Sequence, residues 1–424
     1  MGDADLEATR ARLRAHFPPL VQPDAPAFLD NAAGSLVPSS VVAAVAGVLT
    51  TRGVVNALPG YAWGQAQARL KDAAHAATGL FVNAPRGAAD VVLGPSATAL
   101  AFRLSAAMAK QMTRGDAIVV SELEHECNAS PWREIEATRG VELRVWRARW
   151  PAGGLPGPAG GLHVEDLAPL LADGRVKLVA LTAASNCFGL ATQCVAEAAR
   201  AAHAAGALIC VDAVHGSPHA LPDVQRDEID FLLFSPYKLC APHLGGLYIR
   251  GELIAGLDVP SLHFYDKASA QKFEYGTAPY ECLAGWIAAL EYFAVEVGGA
   301  PRGAPLTREA LRAAWEQVEA LEAPVKAALL AGLGGIAGVT VYGAVEERER
   351  VGTVAFRVAG VEPAAAALRL GAAGVCVGNG HFYATMCNEA LQLMPHGVLR
   401  ASIAHYTSLE DVARLLQGIR EMLA

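Results

Sequence analysis

Between residues 88 and 250 the chain alternates short apolar runs with helix-forming stretches, and that alternation limits the folds open to it. The runs are 117-AIVV-120, 142-ELRVW-146, 177-KLVALT-182, 207-ALICVD-212, 229-IDFLLFS-235 and 246-GLYIR-250. Each has the length and β-branched or aromatic content of a strand. Between two of them, 192-TQCVAEAARAAHAAG-206 is Ala-rich and stops on Gly206, a good helix terminator. Strand, helix and strand in succession predict an α/β fold with a mostly parallel sheet covered on both faces.

The helix-like stretch 281-ECLAGWIAALEYFAVEV-297 is followed by 298-GGAPRGAP-305, which marks a boundary. A large domain over 21–297 and a smaller C-terminal α/β domain over 298–424, joined by residues 1–20, are the expected division. In the second domain the pattern predicts a long helix at about 306–334 and strands near 339–342, 353–358, 375–378 and 398–404. A closing helix over 408–423 opens with Ser408 and carries Asp411 three residues on, close to a capping box. Segment 151-PAGGLPGPAGG-161 reads as a surface loop. GLGGIA at 332–337 matches the dinucleotide fingerprint only nominally, because it follows a helix where that motif follows a strand.

Composition removes several function classes. A net charge of -8 with no block of Lys and Arg gives no electrostatic support for nucleic acid. The long uncharged run 327-AALLAGLGGIAGVTVYGAV-345 holds five glycines and reads as helix end, turn and strand rather than a membrane span. The N-terminus carries charges through its first turns and has no signal-peptide core, so a cytoplasmic protein is expected. Eight scattered cysteines without a CxxC pair fit reduced thiols, with no metal cluster.

In open α/β sheets ligands sit beyond the carboxyl ends of the strands, so polar residues there are the ones to collect. They are His125, Asn186, Asp212, His215, Ser235 and Lys238, with Ser96 and Thr98 in 94-GPSATAL-100 at a helix start suited to phosphate. Taken singly, each has a plainer reading: a strand-end Asp caps a helix, a His is a bonded structural residue, and a Lys snorkels to solvent. Taken together they fit pyridoxal 5'-phosphate. Its aldehyde needs a lysine amine (Lys238), its pyridine nitrogen a carboxylate (Asp212), its phosphate a dipole-backed turn, and its ring face an aromatic group, here His125.

The stretches 182-TAASNCFG-189, 207-ALICVDAVHGSPHALPDVQRDEIDFLLFSPYKLCAPHLGGLY-248, 273-FEYGTAPY-280 and 398-VLRASIAHYTSLEDV-412 resemble the class V aminotransferase superfamily, in particular its cysteine desulfurase and selenocysteine lyase branch. The similarity runs from 28-FLDNAAGSLVP-38 to the C-terminus. It implies the PLP-dependent transferase fold, fold type I, and the cofactor pyridoxal 5'-phosphate. It further implies Lys238 as the cofactor-bonding lysine, Asp212 at the pyridine nitrogen, His125 stacked on the ring, and Asn186 and His215 near the phenolic oxygen. Ser96, the backbone of Ala97, Thr98 and Ser235 are implied for phosphate, with Thr277 reaching in from the partner subunit of a homodimer. Arg400 takes the position of the arginine that grips the substrate carboxylate.

The chain departs from that branch in 378-GNGHFYATMC-387, where Tyr383 stands in place of the cysteine that carries a persulfide. Tyr237 also stands where a histidine precedes the lysine, and His215 where glutamine is usual. A phenol carries no persulfide, so Cys127 or Cys387 would have to be a displaced nucleophile, or there is none. The expected activity is a PLP-dependent lyase that breaks a Cβ–sulfur or related bond of an α-amino acid, with Lys238 as base and Tyr383 or His381 as acid. An aminotransferase or an amino-acid epimerase is the alternative, and a non-catalytic PLP-binding dimer a third. Asn56, with Tyr61 and Trp63 in 54-VVNALPGYAWG-64, is expected in the substrate wall.

Overall fold

A computed structural model describes residues 3–150, 160–343 and 350–424. Most of the expected 151–161 loop lies outside the described residues. In chain order the strands are β1 (Ala27–Phe28), β2 (Val91–Gly94), β3 (Ala117–Ser121), β4 (Glu142–Trp146), β5 (Val176–Thr182), β6 (Leu208–Asp212), β7 (Phe231–Phe234) and β8 (Gly245–Ile249). They continue with β9 (Val339–Tyr342), β10 (Thr353–Val358), β11 (Val375–Cys376), β12 (Gly378–Gly380) and β13 (Val398–Ser402).

The main sheet has the order β2-β8-β7-β6-β5-β3-β4. Pairing is parallel from β4 through β7, and only β8 runs against its neighbours. Successive residues of a strand face opposite sides, and the burial follows that period. Val119, Val179, Ile209 and Leu232 join one apolar cluster, while Ile118, Leu178, Cys210 and Leu233 join another. Helices Ala62–Val82 and Tyr280–Tyr292 supply the first cluster; Ala97–Ala109 and Ser130–Arg139 supply the second. The doubly covered sheet is thus formed as the apolar runs imply, with β2 as a further strand at its edge.

A four-stranded antiparallel sheet, β12-β13-β10-β9, has its own core with the long helix Arg308–Gly334 and the closing helix Leu409–Leu423. Ser408 and Asp411 complete a capping box at that closing helix. The run at 375–378 is not one strand. Val375–Cys376 pairs in parallel with β1, and Gly378–Gly380 pairs with β13. The apolar uncharged run at 327–343 is helix end, turn and β9 as expected. Among the described residues no helix is long and apolar enough to cross a membrane, and no cluster of metal-ligating side chains occurs.

Candidate active site

The site begins where β7 ends. Ser235 precedes a short 3₁₀ turn, Pro236–Lys238, that turns the lysine back over the carboxyl ends of the strands. The segment before the helix Ser39–Thr51 clamps this turn: Ser35 Oγ donates to Tyr237 O at 3.0 Å and accepts from Cys240 N at 2.7 Å. Tyr237 in turn stacks on His243, ring centroids 5.0 Å apart. Lys238 is buried, and burial, aided by the nearby Arg400 cation, lowers its amine to about 8.

Lys238 lines a cavity of ≈ 100 Å³ together with Ser96, Ala97, Thr98, His125, Cys127, Asn186, Asp212, His215, Ser235 and Tyr237. The eight residues collected from the sequence therefore share one cavity, drawn from five strand ends. At the end of β6, Asp212 accepts from Val214 N at 2.8 Å and from the Cys127 thiol at 3.1 Å. Beneath it Glu124 is buried, and burial beside Asp212 raises its carboxyl to about 8. His125 accepts from Cys127 N through Nδ1 at 2.9 Å, which fixes its tautomer, and burial lowers its pKa.

Ser96 caps the helix Ala97–Ala109 by accepting from Ala99 N at 3.1 Å, leaving the first N–H groups and the positive dipole end at the cavity. Gly245 of β8 backs this turn so closely that a Cβ there would lie 2.1 Å from Ser96 C. Two buried polar atoms at the cavity wall, Asn186 Oδ1 and His215 Nδ1, have no protein partner. Their other ends are committed: Asn186 Nδ2 donates to Phe382 O at 2.8 Å and His215 Nε2 bonds Thr353 Oγ1 at 3.0 Å. Buried polar groups of this kind are ordinarily satisfied, so they fit a polar ligand. A pyridoxal phosphate suits this donor set: an amine, a carboxylate, a helix start and two unfilled polar atoms.

The loop after β12 lies at the cavity mouth. Phe382 and Tyr383 are both left-handed, at φ 52° and 56°, a costly pair for side chains that carry a Cβ. Their carbonyls explain it, since Asn186 Nδ2 donates to one and Glu126 N donates to the other at 2.8 Å. Thr385 Oγ1 donates to the Glu126 carboxylate, and the Arg400 guanidinium lies 3.8 Å from the Phe382 ring centroid. The Tyr383 ring meets His125 edge-on at 5.5 Å and His381 at 5.9 Å while remaining 66% exposed. Arg400, on β13, bonds Asp30 Oδ1 at 2.8 Å and Asn186 O at 3.0 Å, with Nε buried and unpartnered.

One expectation is not met in the single chain. Asn56 is exposed and accepts from the Tyr280 hydroxyl at 2.8 Å rather than facing the cavity; Tyr61 and Trp63 are exposed as well. Thr277 is exposed outside the cavity of its own chain. Neither thiol has the character of a displaced nucleophile. Cys387 is fully buried, donates to Ala384 O at 3.3 Å, and burial holds it protonated; burial and Asp212 do the same to Cys127. Asp30 and Ser35 went unnoticed in the sequence. Asp30 and Ser35 sit in the resembling stretch FLDNAAGSLVP, which was the available signal for them.

The family model for aminotransferase class-V matches residues 27–415. The chain is 29% identical over 421 residues to the aminotransferase-like protein FGM3 of Gibberella zeae, covering 97% of this chain and 98% of that protein. It is 29% identical over 435 residues to a cysteine desulfurase of Escherichia coli O9:H4, covering 97% of each. The crystal structure of the Escherichia coli cysteine desulfurase CsdA in an S-sulfonic acid form superposes with a TM-score of 0.81 at 26% identity, covering 98% of each chain.

Proposed function

Because the chain belongs to the aminotransferase class-V family, and so is a PLP-dependent enzyme with the fold type I architecture, we propose that it is a desulfurase-like lyase acting at Cβ of an α-amino acid. The observation that carries this reading is Tyr383 at the cavity mouth, in a loop tied to Asn186, Glu126 and Arg400, with the two neighbouring thiols buried and protonated. A loop so fastened, without a thiolate, suits direct elimination better than delivery of a persulfide to an acceptor.

When bound, the cofactor supplies an electron sink that makes the substrate Cα–H acidic. Lys238, held near neutrality by burial, takes up that proton as a free amine. Asp212 would hold the proton on the cofactor's pyridine nitrogen, and His125 would lie against its ring. Ser96, Ala97 and Thr98 would hold the phosphate at the helix start, with Ser235; Asn186 and His215 would offer their unfilled atoms to the phenolic oxygen. Arg400 grips the substrate carboxylate through its fork. Tyr383, with His381 beside it, donates a proton to the leaving group.

Release of pyruvate and sulfide from L-cysteine, or of pyruvate from L-cysteine sulfoxides, without a keto acid tests the reading. Product only in the presence of a keto-acid acceptor would replace it with an aminotransferase, the activity suggested by the name of the Gibberella zeae relative. We also propose a cytoplasmic homodimer with two domains divided near residue 298. The exposed apolar side chains Val54, Tyr61 and Trp63, and Tyr275 two residues before Thr277, support a partner surface. The separate core under the small sheet supports the division.

A further inference from the structure

Lys238 and His215 line a second, small cavity of ≈ 20 Å³, room for about one water. Ser35, His219, Glu322 and His405 form other parts of its wall. His219 and Glu322 in turn line an open cleft of ≈ 500 Å³ along the helix Arg308–Gly334. Each junction is therefore shared by two residues, Lys238 and His215 on the inner side and His219 and Glu322 on the outer. The rings of His215 and His219 meet edge-on at 5.6 Å, and His219 Nδ1 lies 2.7 Å from Glu322 Oε2. A carboxylate and several imidazoles are costly to bury where apolar side chains would pack, so their succession from Lys238 to solvent calls for a use.

We propose that His219 and Glu322 form a proton path from Lys238 to the open cleft, a role that rests on the reading of Lys238 as the base. The Lys238 ammonium gives a proton to a water in the small cavity, and that water gives one to Nε2 of His219. His219 passes its Nδ1 proton to Glu322, which releases it to the solvent of the cleft. No electrons move; Lys238 returns to the free amine, and a turn of the His219 ring restores its tautomer. The other groups facing the cavity stay out of the transfer. Burial holds His405 at about 3, bonded to the Tyr292 hydroxyl at 2.9 Å, and burial with the Lys238 charge keeps His215 neutral on Thr353. Burial raises the Cys240 thiol to about 12.

The test is a pH jump on the holoenzyme in a stopped-flow instrument, following the visible band of the bound cofactor. His219→Gln and Glu322→Gln should reach the wild-type end point at least tenfold more slowly, and Glu322→Asp should restore much of the speed. Rates within twofold of wild type in both Gln variants would overturn the path. A structural lesion would move the end point rather than the rate alone. The second arm follows loss of deuterium from Cα-deuterated L-alanine in ordinary water, which the two Gln variants should slow relative to wild type. Slowed pH jumps with no exchange from any amino acid, even in wild type, would remove Lys238 as the base while leaving the path. Normal exchange with unslowed jumps would remove the path and leave the base.

Discussion

Arg400 Nη2 lies 2.8 Å from Asp30 Oδ1, so the cation assigned to the substrate carboxylate is already held by an acid from the other end of the chain. The pair fixes the fork in place while its Nε stays unpartnered. It also sets the local field: Arg400 lowers the Lys238 amine and Asp30 raises it.

That field can be read in cofactor-free protein. Capture of pyridoxal phosphate needs the free-base amine, so its rate should rise with pH and level off above about 8. A nearby cation disfavours the ammonium form, so removing it with Arg400→Gln raises the amine pKa and moves the midpoint upward. A midpoint that stays or falls would show that Arg400 does not act on Lys238. The same variant should lose about tenfold or more in kcat/KM, as expected for loss of a charged hydrogen bond of roughly 1.5–3 kcal/mol.

Tyr383→Phe should lower kcat by about a hundredfold, the usual scale for a lost general acid, with little change in KM. The loop is fastened through main-chain carbonyls and Phe382, so the variant keeps its contacts. Unchanged turnover would take Tyr383 out of the mechanism and leave His381.

Cys127→Ala and Cys387→Ala should each keep turnover within about threefold, because both thiols are buried and protonated and neither is suited to nucleophilic attack. Pyruvate release by each variant measures this. Loss of activity in either, with a persulfide found on that residue in the wild type by mass spectrometry, would restore a sulfur relay.

Gly245→Ala should weaken cofactor binding about tenfold or more, because its Cβ would press on Ser96 C and Ala97 N at 2.1 and 2.3 Å. Equilibrium titration with pyridoxal phosphate checks it. Unaltered affinity would mean that the helix start moves aside without harm to phosphate binding.

The main sheet was legible because its strands are buried on both faces and read as continuous apolar runs, and residues at their ends followed directly. Lys238, Asp212, Asn186 and His215 need only the strand boundaries to be located. The division at Val375–Cys376 was not legible, since two-residue strands carry no periodicity and their partner β1 lies near the other terminus. Asp30 escaped for the same reason. Its meaning comes from Arg400, and no local pattern links the two. Asn56 went to Tyr280 instead of the cavity because a short polar side chain takes the hydroxyl its neighbour offers.

The pairing of β1 with β11, and of Leu29 with Ser402, has a consequence during synthesis. Strands β2 to β8 are complete once residue 249 has left the ribosome, whereas the segment carrying Asp30 waits for residues 375–402 before it has a place to lie. The part of the chain made first is thus among the last to be seated. A chain stalled before β13 would hold the finished main sheet with Lys238 in position and nothing yet to receive a carboxylate.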